Sequence, residues 1–208
     1  MKISNVEIMG LESSIVASGY PMRTETPDFN SGVHLVMSTT TKDLDRAKKL
    51  TKLSHENGAH GQWLTGVRVS FDLTCSNKMW VEAERYRFLE FVSSQSTMHR
   101  ITRFDIKNQY NKYVDPRMID IMWEKIHEFN SLPEKDPSRT DKYLEILYSN
   151  PSGFELTARL TTNYRCLINI YHQRKDHRLP EWRDFCKYIY ENLPMFRELV
   201  DSYEEEEK

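Results

Sequence analysis

The sequence predicts a mixed α+β fold, an antiparallel sheet supported by several helices, and three observations predict it. Short segments alternate apolar and polar residues at mostly two-residue spacing, as in Leu64, Val67, Val69, Phe71 and Leu73. Other segments repeat their apolar residues at helical spacing, as in Leu44, Ala47, Leu50 and Leu53. No G-x-G-x-x-G follows a strand and no G-x-x-x-x-G-K-[ST] is present, so a dinucleotide would not be held in Rossmann or P-loop fashion. At 208 residues with no dividing linker, one domain spanning 1–208 is expected.

In order, residues 2–9 read as a strand through Ile3, Val6 and Ile8; Gly10 breaks it, and a short helix ends at Gly19-Tyr20-Pro21. Residues 21–40 read as a long loop around Val33–Met37, a length that suits a functional segment or one packed on a partner subunit. Thr41 or Asp43 opens a helix that Asn57-Gly58 ends. Trp63 to Cys75 is the clearest strand, with Gly66 as a bulge, and Ser76-Asn77 caps a helix from Lys78 to about Val92. Ser93–Arg100 reads as a polar loop and 101–115 as strand then loop. Pro116 starts a helix to about Phe129 whose core stripe is Met118, Ile121, Met122, Ile126 and Phe129. After a turn-rich connector, Asp141–Tyr148 is a short helix, and Phe154, Leu156, Ala158 and Leu160 alternate as a strand. The chain closes with a helix from Pro180 to about Leu193, interrupted at Pro194 and continued over Met195–Tyr203.

Composition narrows the function classes. With 29 basic and 31 acidic residues and a net charge of -2, a general nucleic-acid or membrane surface is not expected, which leaves room for a local basic pocket for a phosphate. There is no apolar run near the ~18 residues of a membrane span and no secretory segment behind Met1, so a soluble cytoplasmic protein is expected. Cys75, Cys166 and Cys186 are isolated thiols without a C-x-x-C, which suits a reducing compartment and argues against a zinc site. Nothing around them suggests an activated thiolate.

The densest polar chemistry lies in Leu160–Trp182, a strand running into a short helix. At about 100° per residue, Leu167, Ile168, Ile170 and Tyr171 share one arc and Arg165, Asn169 and His172 the opposite one. Asn163 sits at the N-cap position and Arg174 in the last turn, where a cation complements the helix dipole. A capped amphipathic helix with a solvated polar face accounts for this spacing by itself. A second polar stretch, Ser93–Arg100, offers hydroxyls, backbone amides and one guanidinium, the donors a phosphomonoester requires.

The run Asn163, Arg165, Leu167, Asn169, Arg174, followed by Asp176, His177 and Trp182, resembles the carboxy-terminal N-x-R-x-L-x-N-x-x-x-x-R signature of the flavin-dependent thymidylate synthases. His60, in the HENGAH turn, resembles the second histidine of that family's H-E-x-x-x-x-H-like turn beside the flavin. Ser93, Gln95, Ser96 and Arg100, with Met98 and His99 between, can be laid on the second half of its R-H-R-x-x-S-x-N-E-x-S-x-R motif. The R-H-R half is displaced: Phe88, Leu89 and Glu90 hold those positions, and Arg85-Tyr86-Arg87 stands three residues earlier.

The resemblance implies an FAD-binding homotetramer that methylates C5 of dUMP, a pyrimidine deoxynucleotide, with methylenetetrahydrofolate giving the carbon, NADPH reducing FAD and the reduced flavin supplying hydride. It assigns Arg174 to the pyrimidine carbonyl side as the catalytic group. Gln95, Ser96, Met98, His99 and Arg100 fall to nucleotide binding, and Asn163, Arg165, Asn169, His60 and Arg87 to FAD. Two alternatives stay open, a divergent member acting on another pyrimidine nucleotide and a non-catalytic nucleotide-binding protein.

Overall fold

Alternating β-formers and capped amphipathic runs resolve, in a computed structural model describing residues 1–24 and 39–204, into an α+β fold built on an antiparallel sheet. The elements are β1 (Lys2–Met9), α1 (Leu11–Ala17), α2 (Thr41–Leu53), β2 (Arg68–Ser76), α3 (Asn77–Ala83), β3 (Glu90–Ser94) and α4 (Thr97–Arg100). After them come α5 (Pro116–Ser131), α6 (Arg139–Ser149), β4 (Glu155–Asn163), α7 (Tyr164–Arg174), α8 (Pro180–Asn192) and α9 (Phe196–Glu204). Among the described residues the strands pair in the order β1-β2-β4-β3, which makes β1 and β3 the edges. Most of the expected 21–40 loop, including Val33–Met37, lies outside the described residues.

The central strands β2 and β4 alternate as their sequences require: Val69, Phe71, Leu73 and Cys75, with Ala158 and Leu160, are buried. On the other face Ser70 pairs with Thr161 at 2.8 Å, Asp72 with Arg159 at 3.3 Å and Thr74 with Thr157 at 2.7 Å. The three pairs share one antiparallel register, fixed by matched hydroxyls and one ion pair.

The chain divides into two compact units. The first comprises 1–4, 72–87 and 91–160. Its core gathers Ile101, Ile106, Met122, Ile126, Phe129, Ile146 and Phe154. The rings of Phe104 and Tyr110 each meet Phe154 edge to face, with centroids 5.3 Å apart. The α5 stripe is narrower than the sequence suggests, since Met118 and Ile121 are exposed and only Met122, Ile126 and Phe129 turn inward. The expected helix from Lys78 to Val92 stops at Ala83, and Glu90–Ser94 is an edge strand. The reversal lets Phe91 pack edge-on against Trp80 at 5.1 Å, and an aromatic, a β-branched residue and two serines suit a strand better than a helix. Residues 101–115 also depart from the expected strand: Ile101–Arg103 and Ile106–Asn108 are 3-10 turns, and only an isolated bridge joins Tyr110 to Phe154. Asn108 donates its side chain to Asp105 at 2.8 Å, a local bond that competes with ladder pairing.

The second unit comprises 5–71, 88–90 and 161–208. Gly10 enters α1 with φ +78, and a Cβ there would stand 2.5 Å from the Gly66 carbonyl oxygen, so only glycine fits this break. Gly66 is not a bulge. It ends a 3-10 segment, Gly58–Gly66, in which Thr65 donates to the Gln62 carbonyl at 2.7 Å and Val67 N–H to Leu64 at 3.3 Å; β2 therefore starts at Arg68 and not Trp63. Helix α2 begins with a capping box between Thr40 and Asp43 and ends at Leu53, before Asn57-Gly58. Its fully inward positions are Asp43, Ala47 and Thr51, with the expected Leu44, Leu50 and Leu53 only half-buried. Tyr164 and Phe196 meet edge to face at 5.4 Å, and the Tyr164 hydroxyl donates to the Pro194 carbonyl at 2.8 Å, tying α7 to the break between α8 and α9.

Candidate functional site

Strand β4 delivers Asn163 buried at the start of α7, where its Oδ1 accepts the Cys166 N–H at 3.0 Å. Leu167, Ile168 and Ile170 anchor the helix inward, which leaves Arg165 and Asn169 on its exposed face, one turn apart. Arg165 donates Nη1 to Gln62 Oε1 at 2.8 Å and Nη2 to the Gly58 carbonyl at 3.0 Å. Both partners lie in the 3-10 segment that carries exposed His60. Asn169 accepts from the Gln173 amide at 3.1 Å. In the last turn, the half-buried Arg174 lies with its guanidinium carbon 5.1 Å from the centre of the Trp182 ring. Thus the second unit brings together His60, Arg165 and Asn169, with Asn163 and Arg174 at the two ends of the same helix.

The first unit carries Arg87 and the Gln95–Arg100 set. Gln95 continues the pairing of β3: its N–H donates to the Thr157 carbonyl and its side-chain oxygen accepts the Thr157 N–H, both at 2.9 Å. Ser96 precedes the single helical turn α4, from whose far end the Arg100 N–H donates back to the Ser96 carbonyl at 3.1 Å. Met98, His99 and Arg100 are exposed. Tyr143 from α6 donates its hydroxyl to the Met98 carbonyl at 2.9 Å. Burial pushes the Tyr143 phenol up, partly opposed by the neighbouring Arg100 cation. Arg87 sits exposed in the turn between α3 and β3.

The cysteines are all in the core. Burial pushes the Cys186 thiol up to about 12, with Arg174 lowering it and Asp176 raising it, and burial raises Cys166, with the neighbouring Thr162 side chain acting the other way. Neither supplies a thiolate near neutral pH. Among the described residues no group of His, Cys, Asp or Glu is placed to hold a metal ion, and no helix is long and apolar enough to cross a membrane.

Two participants escaped the sequence reading. Gln62 carries no motif, and its only signal is its position two residues after His60. Tyr143 reads as one more apolar position of α6, and its reach to Met98 is a tertiary fact.

No protein-family model and no curated protein matches the sequence. Solved structures do. A flavin-dependent thymidylate synthase ThyX from Helicobacter pylori complexed with FAD and dUMP is 16% identical, with a TM-score of 0.65 over 99% of each chain. A second structure of that enzyme with FAD and dUMP is 15% identical, with a TM-score of 0.66 over 98% of this chain and 100% of the other. A UMP/dUMP methylase, PolB from Streptomyces cacaoi, bound with 5-Br dUMP is 12% identical, with a TM-score of 0.66 over 97% of this chain and 94% of the other. Across nearly its whole length, then, the chain has the fold of the ThyX-type flavin-dependent thymidylate synthases.

Proposed function

We propose that this chain is a divergent flavin-dependent thymidylate synthase-like enzyme, working in the cytoplasm as a homotetramer with each chain a single functional domain, that methylates C5 of dUMP. The observation that carries the reading is α7: Arg165, Asn169 and Arg174 stand on one formed helix with Asn163 as its N-cap, in a chain whose fold is that of proteins solved with FAD and dUMP. The burial that raises the Cys166 and Cys186 thiols is consistent with this reading, because the alternative route to thymidylate needs a cysteine nucleophile.

The donors present fit a flavin dinucleotide. Arg165, Asn169 and His60 supply an exposed cation and polar groups on neighbouring backbone, which suit an anionic diphosphate and a ring rich in carbonyls. By the resemblance, Asn163 and, separately, Arg87 would also contact FAD. The hydride chemistry would come from FAD reduced by NADPH, and the carbon from methylenetetrahydrofolate. Arg174, beside the Trp182 ring, would hold a pyrimidine carbonyl oxygen and stabilise the enolate-like negative charge that makes C5 nucleophilic toward the methylene carbon. Arg100, Ser96, Gln95 and the amides around Met98 and His99 hold the phosphate.

The displaced Arg85-Tyr86-Arg87 and the likeness to a UMP/dUMP methylase favour a second reading, the same chemistry on a different pyrimidine nucleotide. Both are tested on purified protein by flavin absorbance and FAD titration, then by flavin reoxidation with methylenetetrahydrofolate and dUMP, UMP or dCMP in parallel. A yellow protein that turns over dUMP supports the first reading, and turnover of UMP or dCMP alone selects the second. A protein that binds dUMP but no FAD is the non-catalytic nucleotide binder and overturns both.

A further inference from the structure

The Arg165 guanidinium is held by a segment more than a hundred positions away in sequence, and that segment is shaped to receive it. Two of its N–H groups are spent on Gln62 Oε1 and the Gly58 carbonyl, at 2.8 and 3.0 Å. Gly58 is open for the approach: a Cβ there would stand 3.1 Å from Nη2, closer than a side-chain carbon normally sits. Asn57 caps the segment by accepting the Ala59 N–H at 3.1 Å, so the turn that presents Gly58 and Gln62 is itself fixed.

An exposed arginine ordinarily samples many rotamers, and fixing one of them costs side-chain entropy. A group that must meet an anion in one orientation benefits when the protein has ordered it beforehand. We infer that Gln62 and Gly58 form a preset clamp that positions Arg165 for its ligand, Gln62 acting as a positioning residue. The role of that ligand as FAD rests on the function proposed above.

The clamp is tested first without flavin, by NMR relaxation of the Arg165 Nε–Hε group in the full-length protein, and then by FAD titration. The expected result is an ordered Arg165 in the wild type that becomes mobile in Gln62→Ala, while the thermal midpoint of the flavin-free protein stays unchanged. FAD affinity should fall about fivefold, as for loss of one net hydrogen bond. Gln62→Glu, which keeps an acceptor on Arg165, should restore affinity to within about twofold, and Gln62→Ala should cost nothing further in an Arg165→Met background. A wild-type Arg165 that is as mobile as a solvated arginine overturns the clamp whatever the flavin does. So does FAD binding indifferent to Gln62→Ala. An ordered, Gln62-dependent Arg165 in a protein that takes up no FAD keeps the clamp and removes only its assignment to flavin.

Discussion

Asn163–Arg174 and Ser93–Arg100 carry similar inventories of polar side chains, yet the first is tied down through buried groups and the second through exposed ones. Asn163 closes its cap under cover, and three aliphatic side chains of α7 point into the core behind it. Ser93–Arg100 belongs to a short edge strand and a single helical turn, and is held by the Gln95–Thr157 pairing and by one phenol. A helix with a buried back presents its outer residues rigidly, which suits a constellation that must meet reacting atoms in one geometry. A loop pinned at two points can adjust, which suits a phosphate, whose oxygens accept from many directions. The difference predicts where mutation hurts most: chemistry on the helix, affinity on the loop.

The largest effect should follow Arg174→Ala. Nucleotide-dependent flavin oxidation should fall on the order of a hundred- to a thousandfold, as when one transition-state donor is removed, with an unchanged circular dichroism spectrum. Stopped-flow measurement of flavin reoxidation checks it, and unaltered turnover would reject the assigned role. Next comes Asn163→Ala, which deletes the acceptor of a buried N–H and should cost about 1–2 kcal/mol in urea unfolding, where a cap in open solvent would cost less.

A second cap, on α2, makes the same contrast visible through pH. Hydrogen bonds from Thr40, then Arg46, hold the Asp43 carboxyl at about 2, below its ordinary 3.8. A carboxylate lowered on folding contributes stability that is full above the unfolded value and is lost as pH falls through the folded one. The difference in thermal midpoint between wild type and Asp43→Asn should therefore be constant above about pH 5 and shrink between about pH 4 and 2. A difference that does not change over that window would mean Asp43 acts by shape and not by charge.

What could be read in the sequence follows from how local each cause is. Helix α7, its cap and its inward face were legible because Asn163 and the 3.6-residue repeat act within one segment. The ends of β2 and α3 were not. Leu64 and Val67 continue an alternating pattern across Gly66, but i to i+3 bonds claim those residues for a 3-10 segment. Likewise Phe91 and Val92 fit a helical row until the β4 edge offers them a partner strand. For the candidate site, the side chains of one motif could be named, whereas Gln62 and Tyr143 could not, since each acts on a residue at least 45 positions away in sequence.

The smallest effect should belong to Tyr143→Phe, and it bears most directly on the loop. The change keeps the ring against Phe129 at 5.3 Å and removes only the bonds to the Met98 carbonyl at 2.9 Å and the Thr97 carbonyl at 3.5 Å. One net hydrogen bond is worth about 0.5–1.5 kcal/mol, so KM for the nucleotide should rise about three- to tenfold while kcat and FAD affinity hold. Steady-state kinetics with a parallel FAD titration separates the outcomes. A fall in kcat would mean that the Thr97–Arg100 turn sets the orientation of the reacting ring, and the division between a rigid helix for chemistry and an adjustable loop for affinity would have to be abandoned.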